Sequence, residues 1–106
     1  MGVYEIVRQA ILEKKIIVAT YSGLERVMCP HIIGVNKFGR PQALFYQFAG
    51  ESSSRPIERD GSPVNWRCVE IAKPTGVTVL DGDWHTAPNY SRPETCVAQI
   101  DVEVQI

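Results

Sequence analysis

Arg26, His31, Tyr46 and Arg67 are polar side chains set among apolar, strand-forming neighbours, in the runs Leu24 to Phe48 (LERVMCPHIIGVNKFGRPQALFYQF) and Trp66 to Ala72 (WRCVEIA). An arginine guanidinium is a planar fork of donors that suits a phosphate or carboxylate, so Arg26 and Arg67 point to recognition of an anion. Their bland use is a structural pair with Glu25, Glu70 or an acid of the C-terminal stretch. His31, beside Pro30, reads either as a ligand contact whose charge changes near neutral pH or as a satisfied structural hydrogen-bonder. Tyr21, Tyr46 and Trp66 offer flat faces on which a base stacks, as in single-strand binders, and otherwise fill the core. Ser52, Ser54 and Arg55 lie in the loop-like stretch GESSSRPIERDGSPVN, where their donors would wrap phosphate oxygens or simply form a solvated tether.

Other chemistries have little in the chain to carry them. There is no nucleophile elbow, no HExxH, no phosphate-binding glycine loop and no convincing acid pair, so a non-enzymatic protein with no catalytic residue is expected. Cys29-x-His31 with Cys68, His85 or Cys96 has no recognised zinc spacing, and Asp81-Gly82-Asp83 lacks the rest of a calcium loop. No metal and no cofactor is expected. With no membrane-length apolar run and no signal peptide the protein is expected to be cytoplasmic; the cysteines form no CxxC pair and sit in strand-like runs, which predicts reduced thiols and no structural disulfide.

The elements that must position these residues follow from length and periodicity. The 106 residues, 44% of them apolar, predict one domain over 1–106 with one core. No apolar run approaches the roughly 18 residues of a membrane span, and Met1 to Ala10 does not read as a signal peptide. Ile6, Val7, Ala10 and Ile11 recur at helical spacing, predicting an amphipathic helix over 3–14. That helix plugs one end of a barrel or forms a dimer contact. Residues 16–22 (IIVATYS) predict a strand, with Ser22-Gly23 as a tight hairpin turn. A second strand from Leu24 stops near Pro30, and an extended run resumes at His31. Asn36 to Arg40 predicts a turn, and strands follow at 42–48, 66–72 and 77–80. Residues 96–106 alternate Ile100, Val102, Val104 and Ile106 against Asp101, Glu103 and Gln105, a final strand with one solvated face.

Charge is uneven along the chain. Residues 26–73 hold seven bases and four acids, whereas 74–106 hold one base and five acids. The formal net charge of −1 argues against tight, sequence-indifferent duplex binding, which usually shows a strong basic stripe. It leaves room for a local basic pocket.

Taken together, a helix, a strand ending in Tyr21, Gly23, Arg26-x-x-x-Pro30, Pro30-His31-x-x-Gly34, Gly39, Leu44, Tyr46-Gln47, Ser52 to Ser54, Trp66-Arg67 and Ile71 resemble the WYL domain. The likeness spans roughly residues 6–90 and is nearest the stand-alone members, with no helix-turn-helix ahead of it. The Trp-Tyr-Leu triplet itself is absent, and Gln42-Ala43-Leu44 stands in its place. The resemblance implies a small Sm-like or SH3-like β-barrel, mainly β with one N-terminal helix. It implies a ligand-sensing regulatory module for a nucleotide or a short single strand, and it adds Gln47 to the candidate ligand contacts. The alternative is an interaction module that forms a homo-oligomer with no small ligand.

Overall fold

The computed structural model describes residues 2–50, 66–82, 84 and 97–104. Helix α1 spans Val3–Glu13, and the strands are β1 Ile16–Tyr21, β2 Leu24–Val35, β3 Pro41–Gly50, β4 Trp66–Glu70, β5 Thr75–Leu80 and β6 Gln99–Glu103. They make one six-stranded antiparallel sheet in the order β4-β3-β2-β1-β5, with β6 paired to β2 beyond that path. No strand pair closes it among the described residues. The protein is therefore mainly β with one helix, as expected.

The expected helix face is the one that packs. Val7, Ala10 and Ile11 are buried in α1 and join Ile17, Ala19, Met28, Ile33, Ala43, Phe45, Val69, Ile71, Val102 and Val104 in the main core. An 11-residue helix is marginal in isolation, so this burial is what holds it. A polar tie adds to it: the Tyr4 hydroxyl donates to Asp101 Oδ2 at 2.6 Å and Arg8 Nε to the same oxygen at 3.2 Å. Burial and that bond push the Tyr4 hydroxyl up to about 12. The Tyr4 hydrogen bond, with Arg8 beside it, holds the Asp101 carboxyl below its ordinary value.

Strand β1 turns into β2 through Ser22 and Gly23, both at positive φ (56° and 76°), the backbone that suits a two-residue hairpin. The expected break at Pro30 does not occur. Strand β2 runs unbroken through it, and a register shift against β3 between Pro30 and Ile32 accommodates the residue. Proline lacks the ladder donor, and a bulge is where a central strand tolerates that loss. The bend lets one strand serve two partners, β1 along residues 24–28 and β6 along residues 32–35.

Strand β6 differs from the simple alternation. Val102 and Val104 are buried as expected, but Ile100 is 42% exposed. A shift between Ile33 and Gly34 pairs Ile33 with Val102 and Gly34 with Ile100, so Ile100 takes the face opposite Val102. Gly34 is required here. A Cβ on it would lie 1.9 Å from the Gln99 carbonyl oxygen.

A further difference concerns the thiols. Cys29 is a buried thiol, as expected, but Cys68 is disulfide-bonded, which corrects the expectation of no structural disulfide. The spacing of cysteines in sequence reports local motifs such as CxxC and does not by itself decide whether a given thiol is bridged.

Candidate functional site

The register divides the candidate residues between the two faces of the sheet. Ala19 pairs with Arg26, Met28 with Gln47, and Phe45 with Arg67. Ala19, Met28 and Phe45 belong to the main core, so Arg26, Gln47 and Arg67 project to the core-facing side of β2, β3 and β4. Arg26 is 3% exposed and Arg67 8%, and Gln47 is fully buried. Tyr21 joins them: the Arg26 guanidinium carbon lies 4.8 Å from the Tyr21 ring centre, a cation–π contact. Arg67 Nη1 donates to the Trp66 carbonyl at 3.0 Å, and Gln47 Nε2 to the Ala49 carbonyl at 3.1 Å. These bonds fix both side chains against their own strands.

His31, Tyr46 and Trp66 form a second group. Tyr46 pairs with Cys29 and Trp66, which places it on the face opposite Phe45. Its ring meets Trp66 edge-on at 5.2 Å, and His31 meets Trp66 at 4.7 Å and Tyr46 at 6.5 Å. Ile32, Leu44 and Val97 make a smaller apolar cluster against which Trp66 packs. Tyr46 is fully buried, with its ring engaged by neighbouring side chains, so it is not an open platform for a base.

Of the two readings of His31, the hydrogen-bonded one matches its surroundings. His31 is fully buried, and burial pushes its imidazole down to about 4, overriding the opposing effect of its hydrogen bond to Cys29. Nδ1 lies 2.9 Å from the Cys29 carbonyl, which can only accept, so Nδ1 carries the proton of a neutral ring. It does not change charge near neutral pH. Its ring stands edge-on to Trp66 and Tyr46.

Trp84 is a member that sequence pattern does not single out. Its ring centre is 4.3 Å from His31. The signal is weak, because Trp84 sits in the irregular stretch after residue 80 where no period assigns it a face. Ser52, Ser54 and Arg55 lie outside the described residues. No group of three or more His, Cys, Asp or Glu stands together as metal ligands among the described residues. No helix is long and apolar enough to cross a membrane there either.

The core-facing residues share one donor chemistry. Two guanidiniums on β2 and β4 with a carboxamide on the strand between them supply planar donors that suit phosphate or carboxylate oxygens. Comparison with protein-family models, with curated proteins and with solved structures finds no match.

Proposed function

We propose that the protein is a non-enzymatic, WYL-like binding module, with a small barrel of Sm or SH3 type, that holds an anionic nucleotide-type ligand through Arg26, Gln47 and Arg67 with Tyr21 beside them. The observation that carries this reading is the burial of both arginines on one side of the sheet, with Gln47 between them. Burying a guanidinium costs several kcal/mol unless charge or hydrogen bonds compensate it, and apolar side chains would fill the same volume at less cost. The Tyr21 ring and the Trp66 carbonyl offset part of that cost, and recognition of an anion is the use proposed for the two side chains. The sequence likeness to the WYL domain supports the same reading, since it carries Arg26 and Trp66-Arg67 in its motifs.

Native mass spectrometry of the purified protein with a panel of nucleotides and short single strands, at two salt concentrations, tests it. The expected result is a small ligand that stays bound as salt is raised. Failure of every nucleotide to bind would remove the reading.

A second reading, an interaction module that assembles with a second copy, has its own support in β5. Among the described residues this strand ends the sheet; it is uncharged (TGVTVL) and exposes Val79 and Leu80. An exposed strand edge of that composition pairs readily with another chain. A sedimentation mass above that of the monomer that returns to it in Val79→Lys favours this reading; a monomer at all concentrations excludes it.

A further inference from the structure

The turn between β2 and β3 carries an exposed aromatic ring on a rigid mount. Phe38 is 71% exposed, more than any other large apolar side chain described. One such residue alone needs no explanation, since scattered apolar side chains are normal on protein surfaces. The mount is what distinguishes it. Asn36 is buried and nearly every polar group it has is used: Oδ1 accepts from Phe38 N at 2.9 Å and from Arg40 N at 3.1 Å, and Nδ2 donates to Gln42 Oε1 at 2.6 Å. Its backbone N–H donates to the Arg40 carbonyl at 2.8 Å, and its own carbonyl accepts from Gly39 N at 2.9 Å. Gly39 supplies the positive φ of 79° that closes the turn.

One cation lies against the ring and others stand at the same end of the sheet. Lys37 Nζ lies 5.3 Å from the Phe38 ring centre and takes part in no ion pair among the described residues. Arg40 is largely exposed and reaches only a 3.7 Å contact with Glu70, the acid that faces this tip. The Ile71 N–H donates to the Pro41 carbonyl at 3.0 Å, which docks the next turn beside the tip and brings exposed Lys73 to the same end of the sheet. An exposed aromatic face on a hydrogen-bonded turn, with cations on the same turn, matches the two demands of a single nucleic-acid strand, a surface for a base and charge for its phosphates.

We infer that the β2–β3 tip is a binding site for single-stranded nucleic acid, with Phe38 as the stacking surface for a base and Lys37 and Arg40 as the phosphate contacts. A lipid surface fits less well, because one ring gives little apolar area to bury and stable membrane attachment takes more than one weak anchor. The site is independent of the buried arginines. Arg26 lies near the start of β2 and the tip follows its last residue, so the two stand at opposite ends of one strand.

The test is fluorescence anisotropy of a short labelled oligothymidylate across a salt series, with wild type, Phe38→Ala, Phe38→Trp, Lys37→Ala and Arg26→Lys. Two phosphate contacts predict a slope of log affinity on log salt of about −1.4, falling to about −0.7 in Lys37→Ala. Phe38→Ala should weaken binding roughly fivefold to a hundredfold, the range for one stacked base. Phe38→Trp should keep the affinity, and its exposed indole should be quenched by the bound strand. Phe38 and Lys37 are both exposed, so all tip variants should melt with the wild type. The inference is overturned if wild type binds no oligothymidylate, if Phe38→Ala binds equally well, or if only phosphatidylserine vesicles are bound. Loss in Arg26→Lys with Phe38→Ala unaffected would place the strand on the buried arginines and overturn it as well.

Discussion

His31 shows how a single residue's chemistry is decided by its surroundings. In the chain it reads as a group that titrates near neutrality; in the fold its ring is enclosed by Tyr46, Trp66 and Trp84 and its ordinary value of 6.5 falls to about 4. Between those values the unfolded chain binds a proton that the folded one refuses, so stability rises with pH across that window. Acidifying from about pH 6.5 towards 4 should therefore cost up to about 1.4 kcal/mol per pH unit from this group. Urea unfolding at pH 7 and pH 5 measures it, with His31→Gln as the comparison. The substitution should flatten the acid-side loss, even if it lowers stability throughout. An identical pH dependence in both proteins would mean that His31 is not the group responsible. Surroundings decide the cysteines too: Cys68 is disulfide-bonded although its position in a strand-like run reads as that of a reduced thiol.

Among the elements, β2 does the most positioning. Its period-two pattern is legible in the amino-acid sequence alone: Arg26 and Met28 share one side, Glu25 and Cys29 the other, and the side with Met28 is the core. The strand's continuity is not legible there, because proline normally argues for a boundary and only the tertiary pairing shows the bulge that admits it. The same holds at β6, where a one-residue shift against Gly34 turns Ile100 outward although its alternation with Val102 is perfect in sequence. Gly34 is the hinge of that arrangement. Gly34→Ala should destabilise the protein by at least about 2–3 kcal/mol, because a Cβ at 1.9 Å from the Gln99 carbonyl must push β6 off β2. Hydrogen exchange of the Val102 and Val104 amides, with thermal melting, would show the loss. Wild-type melting and protection in Gly34→Ala would show that β6 is not held as described.

For the molecule as a whole, the sheet sorts the polar residues into two populations that the sequence presents as one. Arg26, Gln47 and Arg67 go to the core-facing side with Tyr21; His31, Tyr46 and Trp66 go to the other, where they pack on one another. Which of the two populations could hold a ligand is beyond the sequence, because that depends on which rings fill each other's space. Helix, strands and the alternation of Arg67 with Cys68 are within its reach, since they rest on local periodicity and turn chemistry. The proposed ligand binding rests on the arginine side. The measurement that tests it most directly is calorimetric titration of the tightest-binding nucleotide into wild type, Arg26→Lys and Arg67→Lys. Lysine keeps the charge but loses the planar fork, so each variant should stay folded and bind about tenfold more weakly, the loss of one bidentate hydrogen bond at roughly 1.4 kcal/mol. Equal affinity in all three proteins, with their melting temperatures unchanged, would contradict recognition through these two side chains and leave the arginines as structural residues.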